Sequence, residues 1–318
     1  MRMYTGLFTH DACMLHVTPE GHPEQATRLS AVLNALNKPE FEDLLYFTSK
    51  AAQLDSIYAV HPKTFIDFLH SSVPQNERLL SIDPDTYLSQ GSWLAALHSS
   101  GAVIDAIDAV MARNITNAFC AIRPPGHHAE PTTSMGFCLW NHIAIGAHHA
   151  RMKHDLQRVA IIDFDVHHGN GTQKICEKDP GLFYASVHEM PLYPGSGYPD
   201  EHGPWHQCLN IPLSPGSGSA EFRAAMKIIG QEIIHFAPEF LLISAGFDAH
   251  EKDPLATLNL RDDDFYWATN MLTDIASEIC NGRIVSSLEG GYDESALASA
   301  VGSHVRALMH ASSKETST

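Results

Sequence analysis

The run Phe240-Leu241-Leu242-Ile243-Ser244-Ala245 is apolar with almost no alternation, so as a strand it has to be buried on both faces. Shorter apolar runs over residues 3–8, 44–49, 118–122, 159–162, 183–187, 207–213 and 283–288 also read as strands. Between them, 26–36, 91–112, 141–153, 219–236, 262–281 and 295–310 carry apolar residues at helical spacing, and 55–70 does so with an interruption at Pro62. This alternation predicts an α/β fold over residues 1–318, one domain built on a mostly parallel sheet of about eight strands with helices on both faces. Residues 71–84 are polar and predict a long surface loop, and 311–318 predict a frayed tail.

In such sheets ligands bind beyond the carboxyl ends of the strands. Four strands end there in reactive groups. The run 159–162 enters Asp163-Phe164-Asp165-Val166-His167-His168-Gly169-Asn170-Gly171, where Asp163, Asp165 and His167 share one side of an extended chain. The run 118–122 ends in Arg123-Pro124-Pro125-Gly126-His127-His128, 240–245 ends in Gly246-Phe247-Asp248, and 283–288 ends in Glu289-Gly290-Gly291-Tyr292. Neighbouring buried carboxylates are costly unless cations compensate them. Asp165, His167 and Asp248 form a three-ligand set suited to zinc, with coordination left open for water and a substrate oxygen. The same donors accept ferrous iron. An imidazole of the His127/His128 pair is placed to move the proton of the attacking water, and the Tyr292 phenol to donate to an oxyanion. These parts specify amide hydrolysis. Asp163 suits either a contact to a catalytic His or a buried monovalent cation.

Other polar groups carry ordinary readings. Loop residues His10, His16 and His22 are expected to be solvated, His148 and His149 structural or solvent-facing, and Asp83 and Asp85 a turn or cap. Pro23 and Glu24 are placed to start the helix 26–36, on which Arg28 is either a solvated charge or an inner-channel group.

Composition excludes several classes. With 37 acidic against 20 basic residues the net charge is -17, which opposes nucleic-acid binding. Apolar content of 44% without a membrane-length apolar run, and an N-terminus lacking a secretory pattern, predict a cytoplasmic protein with no membrane partner. The six Cys lack zinc-ribbon spacing and are expected to be reduced.

Taken together, His22-Pro23-Glu24, the segments 123–129 and 163–173, Ser244-Ala245-Gly246-Phe247-Asp248 with Asp253-Pro254-Leu255, and Glu289-Gly290-Gly291-Tyr292-Asp293 closely resemble the histone deacetylase family of the arginase/deacetylase fold. The likeness is to the class II-like branch that includes many bacterial amidohydrolases. It implies zinc on Asp165, His167 and Asp248, His128 as main base and acid, His127 as electrostatic assistant and Tyr292 as oxyanion donor. It also implies that Asp163 orients His127 and shares a structural potassium site with Asp165, His167, Ser186 and the Val187 backbone. Asn170 stands where class I members carry Asp. Gly136 would accept the substrate amide hydrogen, Phe137 and Tyr193 would flank an acyl-lysine tunnel, and Gly290, Gly291 and Leu255 would border it. Arg28 falls at an inner-channel arginine. Leu255 is similar to acyl-lysine deacetylases, where a polyamine-selective branch has Glu. The implied partner is an acylated lysine of a protein or peptide. The alternatives are an acetylpolyamine or other small acylated amine, or a non-catalytic acyl-lysine reader. An arginase-like binuclear manganese hydrolase has too few carboxylates here. A homo-oligomer is compatible with the sequence.

Overall fold

A computed structural model describes residues 4–315 of the chain. In chain order its elements are β1 (Thr5–Thr9), α1 (Ala26–Leu36), β2 (Leu45–Thr48), α2 (Leu54–Tyr58), α3 (Lys63–Ser72), β3 (Leu80–Asp83), β4 (Thr86–Leu88), α4 (Ser92–Met111), β5 (Asn117–Cys120), α5 (His142–His154), β6 (Val159–Asp163), α6 (Asn170–Cys176), β7 (Leu182–Glu189), β8 (Cys208–Leu213), α7 (Ser219–Phe236), β9 (Phe240–Ala245), α8 (Asp262–Ile279), β10 (Ile284–Leu288) and α9 (Glu294–Glu315).

Eight strands form one sheet in the order β2-β1-β5-β10-β9-β6-β7-β8. Every pairing in it is parallel. One layer joins α1, α7, α8 and α9 by contacts of α9 with α1 and α8 and of α7 with α8, while α4 and α5 pack together and against β1, β5, β6, β9 and β10. All six residues of β9 are buried, as their composition requires. Local sequence fixes the helix starts. Asn141 Oδ1 accepts the Ala144 amide at 3.0 Å as the N-cap of α5, and Asp264 accepts the Arg261 amide at 3.1 Å at the start of α8.

The order of the strands places the chemistry. β5, β10, β9 and β6 are consecutive in the sheet, and these are the four strands whose carboxyl ends carry the reactive groups. Register keeps the ends level: Ser287 lies opposite Cys120 and Ser244, and Asp163 opposite Ser244 and Ser186.

Several expectations need correction. Strand β6 stops at Asp163, so Asp165 and His167 are held by irregular chain beyond the strand and not by its alternation. Asn170 opens the short helix α6, which the sequence pattern did not reveal. The expected loop over 71–84 contains strand β3, paired with β4 in a hairpin. Helix α9 continues to Glu315, with Ser312 buried and its hydroxyl 3.0 Å from Thr5 Oγ1, so 311–315 are not frayed. Residue 3 of the first strand and 316–318 of the tail lie outside the described residues. Helix α4 is long and apolar enough to cross a membrane by length and composition, contrary to the reading of the sequence. Its apolarity comes from core packing, with Ala95, Ala96, Ala102, Val103, Ala106 and Ile107 wholly buried.

Candidate active site

The segment after β6 is anchored by its one aromatic. Phe164, buried between the two acids, points away from them and packs on Phe247 and Phe265 at 6.0 Å between ring centroids. The two carboxylates therefore face the opposite side. Asp165 Oδ1 accepts the His167 amide at 2.9 Å, Asp165 Oδ2 accepts the Gly290 amide at 2.9 Å, and Asp248 Oδ1 accepts the Val166 amide at 2.9 Å. These bonds tie the ends of β6, β9 and β10 together. A side chain at Gly290 would overlap the carboxylates of Asp248 and Asp165, so this position requires glycine.

His167 Nδ1 lies 3.2 Å from Asp165 Oδ1 and 3.1 Å from Asp248 Oδ2. Donor atoms of the three residues lie within 4.8 Å of one another, and all three are buried. Burial opposes a charge on His167, and the two carboxylates override it, pushing the imidazole up to about 10. Burial and the Asp165 charge push Asp248 upward. One imidazole nitrogen and two carboxylates converging on one point, with negative charge in excess, fit a divalent ion of zinc type.

The loop after β5 supplies the histidine pair, with ring centroids 4.0 Å apart. His127 Nδ1 is 3.0 Å from Asp163 Oδ2, and His128 Nδ1 is 2.9 Å from Asn170 Oδ1. Two similar rings thus meet unlike partners. Burial disfavours charge on His127, but Asp165 and Asp163 outweigh it and raise the imidazole to about 10. Burial, reinforced by the charges of His127 and His167, holds His128 well below the usual histidine range. His128 is therefore held uncharged beside a charged neighbour. Asp163 also accepts from the Tyr184 hydroxyl at 3.2 Å and from the Asp165 amide at 3.1 Å. Ser186 is buried, with Oγ 2.9 Å from His188 Nδ1. Its neighbour Val187 is buried in β7.

Aromatic side chains edge the same space. Tyr193 stands 5.1 Å from His128 and 6.3 Å from His167 by ring centroids, and Phe137 stands 5.7 Å from Tyr292. Gly136 has φ +55, and a Cβ there would overlap the His128 ring. The Arg28 guanidinium lies 4.7 Å from the Tyr292 ring centroid and donates to the Gly291 and Glu289 carbonyls at 2.6 and 2.7 Å. Asp253 Oδ2 accepts the Tyr292 amide at 2.6 Å and Oδ1 the Leu255 amide at 3.0 Å. Leu255 is itself exposed at the rim. Burial pushes the Tyr292 phenol well above its usual range, which keeps it protonated.

The residues drawn from four strands thus share one site. Sequence reasoning missed its supports. Glu24 is buried and does not cap α1, which begins after Gln25. Its carboxylate takes a bidentate pair from Arg123 at 2.5 and 2.7 Å and a third bond from Arg28 at 3.1 Å. Burial works against this charge, and Arg123 overrides it, holding the carboxyl at about 2. Glu289 accepts the Gly126 and His127 amides at 2.7 and 3.2 Å and so fixes the histidine loop to β10. His16 and His22 are not solvated: His16 is buried 2.7 Å from Ser92 Oγ, and His22 stacks edgewise on Phe137 at 4.7 Å. The signal available was charge of both signs at positions adjoining strand ends. Pairing across distant segments is not visible in one sequence.

Comparison with known proteins agrees with this geometry. The family model described as Histone deacetylase domain matches residues 22–308. The chain is 38% identical over 310 residues to "Histone deacetylase 10, chloroplastic" of Oryza sativa subsp. japonica, covering 91% of this chain and 70% of that protein. It is 34% identical to "Histone deacetylase-like amidohydrolase" of Pseudomonas aeruginosa, covering 86% of this chain and 72% of that one. The HDA15 HD domain superposes with a TM-score of 0.91 at 30% identity, covering 97% of this chain and 90% of that one. The chain belongs to the histone deacetylase family.

Proposed function

We propose that the chain is the catalytic domain of a zinc-dependent deacetylase that hydrolyses N-ε-acetyl-lysine or a related acyl-lysine. The observation that carries this reading is the His127/His128 pair, held on Asp163 and Asn170 with His128 5.9 Å from His167 by ring centroids, beside the cluster of Asp165, His167 and Asp248. Zinc held by those three residues supplies Lewis acidity. His128 takes a proton from the attacking water at Nε2 and returns it to the departing lysine nitrogen, so that an amide and water become a carboxylate and an amine. His127, paired with Asp163, keeps positive charge beside the developing oxyanion. The Tyr292 hydroxyl donates to that oxygen, and Arg28 and Asp253 hold its loop from two sides. Gly136 accepts the amide hydrogen, Phe137 and Tyr193 flank the acyl-lysine stem, and Gly290 and Gly291 border it. Asp163, Asp165, His167, Ser186 and the Val187 backbone are the residues that would hold a structural potassium ion.

A second reading rests on the charge of the rim. Burial raises the Tyr193 phenol, and the nearby carboxylates Asp85, Asp83 and Glu130 raise it further, which favours a cationic substrate such as an acetylpolyamine. The deciding experiment compares turnover of a fluorogenic acetyl-lysine peptide with acetylspermidine by zinc-loaded protein, with a chelator control. Preference for the peptide supports the first reading. Preference for acetylspermidine establishes the second, and no turnover of either leaves an acyl-lysine binding protein.

A further inference from the structure

Helices α4 and α5 end at the opposite edge of the sheet from the histidine loop. Helix α5 starts beside that loop, where Asn141 Nδ2 donates to the His127 carbonyl at 3.5 Å, and runs down to the beginning of β6. At its far end stand His149 and His154, and Asp108 faces them from the last turns of α4. Both Nε2 atoms lie 2.7 Å from the same oxygen, Asp108 Oδ1. The two rings are 5.7 Å apart and nearly perpendicular, at 78°. Arg151, also on α5, is engaged by Asp179 and the Leu156 carbonyl.

We propose that Asp108, His149 and His154 bind a divalent transition-metal ion of the zinc class, separate from the catalytic centre, and that this ion clamps α4 to α5. Two imidazole nitrogens and one carboxylate oxygen within 4.8 Å of one another are the donor set that such ions select. A tetrahedral ion with bonds of about 2.0–2.1 Å sets its ligand atoms roughly 3.3 Å apart, so the 2.7 Å separations open by about half an ångström. The side chains have that freedom. His149 and His154 are 14% and 21% exposed and Asp108 is 44% exposed, which also leaves the outward coordination position to water. Helix geometry adds to the case: His154 is the last residue of α5, and Asp155 turns into the left-handed region at φ 53, so the chain leaves without covering the site. The acidic chain, at net charge -17, concentrates cations around itself.

The test is equilibrium dialysis of the full chain against zinc chloride followed by elemental analysis. The wild type is expected to hold one ion more per chain than His149→Gln or Asp108→Asn. That difference is independent of how much metal the catalytic centre retains. Turnover of the variants should match the wild type, which also reports that they fold. A readout that needs no variant is anomalous scattering from wild-type crystals grown with zinc, where a peak is expected between the three side chains. Equal zinc content in wild type and a His149→Gln/His154→Gln double variant, or no anomalous peak at this position, overturns the proposal.

Discussion

His128 Nδ1 lies 2.9 Å from the side-chain oxygen of Asn170, and this contact decides which imidazole nitrogen is left without that partner. The amide is oriented by its other end, since Asn170 Nδ2 donates to Glu130 Oε1 at 3.1 Å. The oxygen accepts, Nδ1 carries the proton, and Nε2 keeps its lone pair, which in the proposed reaction takes the proton of the water. Replacing the amide by a carboxylate stabilises the imidazolium. Asn170→Asp is therefore expected to raise the His128 pKa and move the acidic limb of the kcat/KM profile to higher pH. Glu130 then faces a second carboxylate, so the Asn170→Asp/Glu130→Gln double variant should show the shift without that repulsion. A limb that stays in place in both variants rules out His128 as the titrating base.

Tyr292 is held by three contacts that do not involve its hydroxyl: Arg28 over the ring, Phe137 at its edge and Asp253 on its amide. Removing only the hydroxyl should leave the loop and the Asp165, His167 and Asp248 cluster in place. Tyr292→Phe is expected to lower kcat by about 10²–10³. Zinc content and melting temperature should match the wild type. A fall below tenfold would mean that the oxyanion has another main donor.

Leu255 is exposed at the rim, on the segment that Asp253 pins to Tyr292. A carboxylate there adds attraction for an ammonium group on the substrate. At an exposed site this is worth up to about 1 kcal/mol, roughly fivefold. Leu255→Glu should accordingly raise kcat/KM for acetylspermidine relative to an acetyl-lysine peptide by that factor, and the gain should shrink with added salt. An unchanged ratio would place the amine of the substrate away from this loop.

The strands and long helices were legible because burial imposes periodicity on each segment separately. The strand 240–245 and the helix 219–236 coincide with β9 and α7. Asp165, His167 and Asp248 were legible as reactive groups at strand ends. The hairpin of β3 and β4 was not, because β3 is exposed or half-buried and β4, with Thr86 and Leu88 buried, is only three residues long, too short to carry a period. Glu24 and Arg123 were not paired in the reading because nothing local connects charges 99 positions apart. The same limit hid the meeting of Asp108 with His149 and His154, which depends on how α4 and α5 pack.

Buried neutral histidine gives the fold a pH dependence of known sign. His304 on α9 is wholly buried, with Nδ1 2.6 Å from Thr269 Oγ1 and Nε2 2.8 Å from Ser286 Oγ. Its ring packs on Phe119, Phe164 and Phe247. Burial pulls its pKa down to about 3. The unfolded chain takes up this proton below about pH 6.5, while the folded chain excludes it until about pH 3. The contribution to stability is therefore complete above about 6.5 and erodes as the pH falls from there towards 3, by about 1.4 kcal/mol per pH unit. His304→Gln keeps a donor and an acceptor but has no proton to exclude. The variant should be less stable than the wild type at pH 7, and the gap should close by roughly 2 kcal/mol on lowering the pH to about 5. Denaturant unfolding at the two pH values, with zinc held constant, measures both gaps. A gap of the same size at both would show that His304 does not take up a proton on unfolding, and would assign its cost of replacement to packing on the three phenylalanines alone.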